Sequence, residues 1–343
     1  MIGLTTAVAL AERGVSVTLI GQHTAGEASP AAAGMLAPSV EGASGPAHDF
    51  GIAARDRYPS YVDFLADRTG IEVPLNRLGI LQVALSEKGI KGLKKTAPTT
   101  SRWLDRKELE EIEPALSHGV GAMFNPDDGA VDNVALLDAL QRLVSSSDRI
   151  ESVQDFVTAI HAGTDSGTVM TTSRASYGAH RLVLAAGAWA GQIPGARFAR
   201  AVAPARGQLV SYSSSPLRHV AYGPRGYVVP RGDHTIGGST MENVGFDATT
   251  TPDGVRKVRL ASEEICPRLA LSEGTDAWAG LRPVTPDMLP ILGVDPEHPS
   301  LLYACGHSRN GVLMAPLTGD IIADLVTGAP LSHDLAQFRP GRF

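Results

Sequence analysis

The chain contains 343 residues, of which 30 are Lys or Arg and 36 are Asp or Glu, giving a formal net charge of −6. This length is typical of about two domains. A content of 43% hydrophobic and 19% charged residues excludes an intrinsically disordered protein. The sequence contains no block of basic residues of the kind that nucleic-acid-binding proteins use to contact phosphates. Its longest apolar stretches, of about ten residues, are shorter than the ~20 residues that a transmembrane helix needs.

The cysteines and histidines exclude two further classes of protein. Only Cys266 and Cys305 are present, too few for a disulfide framework or a cysteine-rich zinc site. The histidines show no metal-ligand spacing. We therefore expect a protein of the reducing cytoplasm without a bound metal.

The first predicted elements are a helix and a strand. Residues 2–13 (IGLTTAVALAER) mix apolar and small residues, which predicts a helix packed closely on a sheet, ended by Gly14 and followed by a strand at 15–20 (VSVTLI). These are the second and third parts of a βαβ unit. Gly3 occupies the place of the third glycine in the dinucleotide fingerprint GxGxxG, whose first two glycines would precede Met1. This segment alone favours a dinucleotide-binding unit and an ordinary α/β helix–strand pair equally.

Three segments of small residues follow strands or precede helices far apart in the sequence. They are 26–38 (GEASPAAAGMLAP), 181–191 (RLVLAAGAWAG) and 301–311 (LLYACGHSRNG). Residues 31–34 carry no side chain larger than methyl, so that their backbone can lie flat against a planar group. The polar loop before a predicted helix at 312–326 offers an anion-accepting helix N-terminus. Together they indicate one extended ligand at the carboxyl edge of a parallel sheet.

The remaining pattern predicts the second part of the fold. Helices are predicted at 56–69, at 86–95 with Ser86 as the N-cap, and at 132–144. Strands are predicted at 79–85, at 204–212 and at 227–240, where the chain turns at Gly232 and Asp233. The acidic run at 105–113 indicates a solvated helix.

Several of these segments recur in the same order in one known group of proteins. They are GEAS and AAAGMLAP, LVLAAGAWAG, YVVPR at 227–231, AGLRP at 279–283 and CGHSRNGVLMAP at 305–316. The chain resembles the flavin-dependent amine oxidases of the D-amino-acid oxidase superfamily, and most of all the glycine oxidase branch of the thiamin-synthesis type. The resemblance extends from residue 2 to about residue 338.

The resemblance implies an α/β fold in which a doubly wound FAD-binding domain, lacking its N-terminal strand, is interleaved with an antiparallel-sheet substrate domain. Residues 1–58, 127–195 and 276–343 would form the first domain, and 59–126 and 196–275 the second. The implied partners are FAD, a small amino acid or amine substrate and oxygen. Neither nucleic acid nor a membrane is expected as a partner, and the resemblance is compatible with a homo-oligomer.

The resemblance also implies which residues hold FAD. They are Met1, Ile2 and Gly3 at the pyrophosphate turn, Gly21 and Gln22 near the ribose, Ala28 and Ser29 near the phosphate and ribityl region, Ala33, Gly34 and Met35 along the flavin ring, Val157 near the adenine, and His307, Ser308, Arg309, Asn310, Gly311, Val312 and Leu313 around the flavin pyrimidine.

For the substrate, the resemblance implies that Arg282 binds the carboxylate as a bidentate fork and Tyr227 donates a hydrogen bond to it. Arg309 would line the opposite side, and Met241 would close the pocket near Cα. The implied reaction converts glycine, sarcosine or D-alanine to the imine or 2-oxo acid, ammonia and hydrogen peroxide, in thiamin thiazole biosynthesis. The alternatives are a D-amino-acid or sarcosine oxidase or dehydrogenase, and a truncated homologue deficient in FAD binding.

Two features depart from the pattern of this family. The first strand and two fingerprint glycines are absent, which we expect to leave unpaired backbone on both neighbouring strands and an open apolar slot. Our hypothesis is a start further upstream, with a genuine truncation as the alternative. In addition, Gly21 and Gln22 replace the acidic residue expected at the ribose, where Gln22 still offers one hydrogen bond.

Overall fold

The computed structural model describes residues 1–40, 45–162 and 167–343. Within these ranges the helices are α1 (Ile2–Glu12), α2 (Ala28–Ala31), α3 (Pro46–Asp56), α4 (Tyr58–Thr69), α5 (Glu87–Thr96), α6 (Arg106–Ile112), α7 (Asn133–Ser145), α8 (Pro252–Ile265) and α9 (Gly311–Thr327). Short 3₁₀ turns occur at Pro114–Leu116, Gly187–Gln192, Arg197–Ala201, Pro267–Leu271 and Ala336–Phe338. No helix in the described part of the chain combines the length and apolar character needed to cross a membrane.

The strands of the described ranges form five sheets. They are β1 (Val17–Gly21), β2 (Met35–Leu36), β3 (Leu75–Asn76), β4 (Ile80–Ala84), β5 (Arg102–Asp105), β6 (Gly121–Asn125), β7 (Gly129–Val131), β8 (Ile150–Gln154), β9 (Val157–Ala162), β10 (Thr168–Thr172), β11 (Ser176–Ala179), β12 (Leu182–Leu184), β13 (Ala203–Tyr212), β14 (Val220–Tyr222), β15 (Tyr227–Arg231), β16 (His234–Gly238), β17 (Gly274–Val284), β18 (Ile291–Val294) and β19 (Leu301–Cys305).

The largest sheet has eight strands in the order β17-β13-β16-β15-β14-β4-β6-β5. Its neighbours are antiparallel except for the parallel pair β14–β4. The hairpin β15–β16 turns at Gly232, whose φ of +61° explains the need for glycine there. Apolar residues of this sheet pack against Val258, Ala261 and Ile265 on one face of α8. The predicted antiparallel sheet is therefore confirmed.

The other parallel strand pairs lie in two smaller sheets. Strand β1 pairs with β8, and β12 pairs with β19, which also pairs antiparallel with β18. Gly3 at the start of α1 lies between them, because a Cβ there would be 3.6 Å from Ala185 Cβ and 3.8 Å from Leu19 Cδ1. Within the described ranges β1 pairs only with β8, and β12 pairs only with β19.

Local sequence signals explain several element boundaries. Gly14 follows α1 with φ +82°, the left-handed conformation that commonly terminates a helix. The Ser86 side chain accepts a hydrogen bond of 3.3 Å from Gly89 N and caps α5, as predicted. The acidic run begins with a capping box between Asp105 and Glu108. The division into two interleaved domains at the boundaries given above stays a prediction.

Candidate active site

A cavity of about 1330 Å³ lies where the carboxyl ends of the parallel strands meet the eight-stranded sheet. It exceeds the ~300–1,000 Å³ of common small-molecule pockets, so its size suits an extended ligand. The ends of β1, β12 and β19 line it, together with α2 and residues of β13, β15 and β17. The three segments of small residues singled out in the sequence therefore meet in one space.

The structure brings nearly all of the predicted site residues to this cavity. Its walls include Met1, Ile2, Gly3, Gly21, Gln22, Ala28, Ser29, Ala33, Gly34, Met35, Val157, Tyr227, Met241, Arg282, His307, Ser308, Arg309, Asn310, Gly311 and Val312. Among the predicted residues, only the side chain of Leu313 does not line the cavity. That side chain is buried in the core, because position 313 lies on the face of α9 that packs inward.

The first turn of α9, rather than the loop before it, offers free backbone donors at the cavity. Ser308 adopts a left-handed φ of +52°, and its N–H donates to Pro283 O at 2.8 Å. Helix α9 then begins at Gly311 without a side-chain cap, so its first-turn N–H groups are left for a ligand. Together with the helix dipole, these groups favour an electron-rich acceptor at this end of the cavity.

His307 in the same loop is a buried structural residue. Its Nε2 lies 3.2 Å from Thr318 Oγ1, and the residue is 2% exposed. Burial lowers the pKa of His307 to about 3. The ring is therefore neutral near pH 7, which argues against an acid–base role and agrees with the expectation that this loop acts through its backbone.

The segment between α2 and β2 forms a flat wall. At Gly34, with φ +73°, a Cβ would lie 1.9 Å from Val131 O, which explains why the position requires glycine. The N–H groups of Ala33 and Gly34 have no acceptor among residues 1–40, 45–162 and 167–343. Both residues line the cavity. A wall of small residues with unused donors, facing the uncapped start of α9, fits the ring system of the implied FAD.

Arg282 and Tyr227, which the resemblance assigns to the substrate, also line the cavity. The Arg282 guanidinium donates to Thr240 O at 3.1 Å and to Ser239 Oγ at 2.7 Å. It lies directly over Gly207, where a Cβ would be 2.0 Å from Nη1. In the described part of the chain no carboxylate comes within 4.0 Å of it. Its charge is thus not neutralised by a carboxylate of the described residues, and it borders the cavity.

Tyr227 is held by its neighbours on the same sheet. Its ring covers Gly238, where a Cβ would lie 2.5 Å from Oη, and its centroid is 5.8 Å from that of Tyr222. Met241 follows Thr240 at the rim of the cavity and is 52% exposed. Arg309 also lines the cavity and is exposed. The four residues predicted to contact the substrate therefore share one space.

Sequence reasoning missed the charged network behind Arg282. Arg206, 4% exposed, pairs with Glu242 at 2.9 Å and with Asp247 at 2.7 Å. Gln208 donates to the same Glu242 carboxylate at 2.7 Å. This network fixes the chain that follows Thr240. The signal was present, because an arginine inside a predicted strand must be paired when it is buried.

The described residues contain no group of three or more His, Cys, Asp or Glu side chains placed to hold a metal ion. The geometry instead matches that of known flavoproteins, and the sequence agrees with it. Residues 1–325 match the family described as FAD dependent oxidoreductase, DAO. The chain belongs to this FAD-dependent oxidoreductase family. The predicted α/β fold and the predicted cofactor, FAD, are thereby confirmed.

The relatives of this FAD-dependent oxidoreductase agree with the resemblance inferred from its motifs. It is 36% identical to the bifunctional protein ThiO/ThiG of Synechocystis sp. over 100% of this chain and 53% of that protein. It is 32% identical to the glycine oxidase of Geobacillus kaustophilus, over 98% of this chain and 93% of the relative. The chain spans about half the length of the ThiO/ThiG proteins that it matches.

Solved structures show the same relation. The crystal structure of glycine oxidase from Geobacillus kaustophilus matches with a TM-score of 0.90 and 32% identity, covering 100% of this chain and 96% of that one. Iminodiacetate oxidase from Chelativorans sp. matches with a TM-score of 0.89 and 25% identity, covering 99% and 96%. The fold of the FAD-dependent oxidoreductase is therefore that of glycine oxidase.

Proposed function

We propose that this chain oxidises glycine and small amines such as sarcosine and D-alanine. The products are the imine, which water converts to a 2-oxo acid and ammonia (or, from sarcosine, methylamine), and hydrogen peroxide from oxygen. The proposal extends to a role in thiamin thiazole synthesis, supported by the names of the ThiO/ThiG relatives. The observation that carries it is the Arg282 guanidinium, which shares a cavity with the flat wall at Ala33 and Gly34.

The residues of the chain would bind and orient the substrate. Arg282 presents a planar fork that suits a carboxylate, and Tyr227 Oη lies in the same cavity to donate a second hydrogen bond. Fixing the carboxylate at two points sets the position of Cα, which is the main contribution that orientation makes to such a reaction. FAD, when bound, supplies the electron acceptor and returns the electrons to oxygen.

The low basicity of His307 supports binding of the substrate with an uncharged amine. His23 and His307 both line the cavity in the described part of the chain, and burial lowers the pKa of His307 to about 3. A ring with so low a pKa is a weak base, so His307 is poorly suited to take a proton from an ammonium group. A neutral amine needs no such base, since its lone pair assists the loss of electrons from Cα.

The neighbourhood of Met241 and the small wall indicates a short substrate side chain. A substrate carboxylate bound at Arg282 would leave the substrate Cα between Met241 and residues 31–35, which line the same cavity. Such a pocket distinguishes two substrates that differ by one methylene by about 1–3 kcal/mol. We therefore expect activity to decrease gradually as the side chain of the substrate becomes longer. We also propose a cytoplasmic location, supported by Cys266 and Cys305, which are buried and unpaired.

The test is a substrate panel with the full chain loaded with FAD. Peroxide release is measured with glycine, sarcosine, D-alanine, D-valine and D-phenylalanine, and bound flavin is quantified by its visible absorbance. We expect glycine, sarcosine and D-alanine to exceed the other two in kcat/KM. Faster turnover of D-phenylalanine than of glycine would replace the proposal by a general D-amino-acid oxidase. A flavin-loaded chain that oxidises none of the five contradicts the proposal.

A further inference from the structure

Residues 29–34, which include the flat wall of the cavity, are fixed by hydrogen bonds that other elements donate to their carbonyl oxygens. Nearly every carbonyl between residues 29 and 34 accepts a hydrogen bond from outside the segment. The donors are Asn133 Nδ2 to Ser29 O at 2.8 Å and Pro30 O at 3.3 Å, Trp278 Nε1 to Ala31 O at 3.0 Å, Arg231 Nη2 to Ala33 O at 3.1 Å, and Val131 N to Gly34 O at 2.8 Å. These groups come from α7, β17, β15 and β7.

Arg231 is the centre of this arrangement. Its Nη2 also lies 3.3 Å from Val131 O and 3.2 Å from Asn133 Oδ1, while Nη1 pairs with Asp132 at 2.9 Å. The side chain is only 10% exposed and does not belong to the cavity wall. It therefore joins the start of α7 to the wall at Ala33. Such simultaneous contacts need the planar fork of arginine.

The contact with Ala33 O fixes the direction of the next amide. The carbonyl of Ala33 and the N–H of Gly34 belong to one planar, trans peptide group, in which they point to opposite sides. Because Arg231 draws the oxygen outward, the Gly34 N–H turns toward the cavity that Gly34 lines. This N–H, like that of Ala33, has no acceptor in the described ranges.

We propose that Arg231 is a positioning residue for the cofactor, which acts by aiming the Gly34 N–H at acceptor atoms of the flavin ring. A donor fixed in advance binds an acceptor more tightly than one that must first be ordered, and its effect grows as the acceptor gains negative charge. Arg231 should therefore raise both the affinity for FAD and the reduction potential of the bound flavin. The inference rests on FAD binding and deepens the proposed function without depending on glycine as the substrate.

The test compares Arg231→Lys with wild type in the full chain. Lysine keeps the positive charge beside Asp132 but cannot contact Ala33 O, Val131 O and Asn133 Oδ1 together. We expect the Kd for FAD, from fluorescence titration, to rise about tenfold or more. The midpoint potential, from a dye-coupled spectral titration, should become more negative. Trp278→Phe, which loses only the donor to Ala31 O, should show a smaller effect on both quantities.

Arg55→Lys is the matched control. Arg55 is also a nearly buried arginine, paired with Asp128 at 3.1 Å, but neither residue lines the cavity. This change should lower the melting temperature without moving the Kd or the potential. The proposal is overturned if Arg231→Lys leaves the Kd and the potential as in wild type, or if Arg55→Lys shifts both equally. Failure of the FAD-loaded wild type to oxidise glycine contradicts only the proposed function, because these measurements need no amine.

Discussion

Gly207→Ala tests whether the position of the Arg282 guanidinium matters for the reaction. The new Cβ would lie 2.0 Å from Nη1, whereas an ordinary contact begins at 3.4 Å, so the guanidinium must move by about 1.4 Å. The fold tolerates this because the crowded atoms are the end of a flexible side chain. A misplacement of about 1 Å can cost 10²-fold in rate. We therefore expect kcat/KM for glycine to fall about 100-fold, or about 2.7 kcal/mol of transition-state stabilisation.

The assay is amine-dependent peroxide release, measured together with the FAD content and the melting temperature, neither of which should change. Gly178→Ala is the matched control, since Gly178 also lies in a strand but a Cβ there meets nothing within 4 Å. The control should keep the kcat/KM of wild type. If the Gly207→Ala variant binds FAD normally and its kcat/KM stays within twofold of wild type, the substrate carboxylate is not bound by Arg282 in the observed position.

Two further changes test the substrate site and the stability of the fold. Arg282→Ala should lower kcat/KM for glycine about 30- to 5,000-fold, from a loss of about 2–5 kcal/mol, with the flavin spectrum intact; loss of flavin instead would make Arg282 structural. Burial raises the pKa of Glu113, but hydrogen bonds from the His219 ring and the Arg218 and His219 amides outweigh it and hold the pKa below the ordinary 4.5. The resulting stability is present above pH 4.5 and is lost as pH falls through the lowered pKa. The melting temperatures of wild type and Glu113→Gln should therefore differ near neutral pH and converge under acidic conditions, and a constant difference would contradict this.

The parts of the site that could be predicted are those encoded in short stretches of sequence. Small residues after a strand, as at 185–191, or before a helix, as at 306–311, appear together along the chain. Their meeting then follows from topology, because the carboxyl ends of parallel strands share one edge of a sheet. The hairpin turn at Gly232 and the cap at Ser86 were predictable for the same reason, since each depends on a few adjacent residues.

The parts that could not be predicted depend on pairs of residues distant in sequence. Arg231 meets Ala33 across 198 positions, and nothing near either residue indicates the other. Leu313 shows a different limit. It lies within the motif GHSRNGVLM, but helix α9 has already begun there, and the helical period turns its side chain into the core. A motif can thus mark a loop that lines the cavity while one of its positions, already inside the helix, turns its side chain away from it.

Three arginines of the eight-stranded sheet differ in how their positive charge is compensated. Arg206 on β13 is neutralised by Glu242, and Arg231 on β15 by Asp132. Arg282 on β17 has no carboxylate within 4.0 Å among the described residues, although it is partly buried. Partial desolvation of a cation is costly unless an opposite charge compensates for it. Since nearby loop residues supply carboxylates to the first two arginines but not to the third, we predict that the compensating charge for Arg282 comes from the substrate.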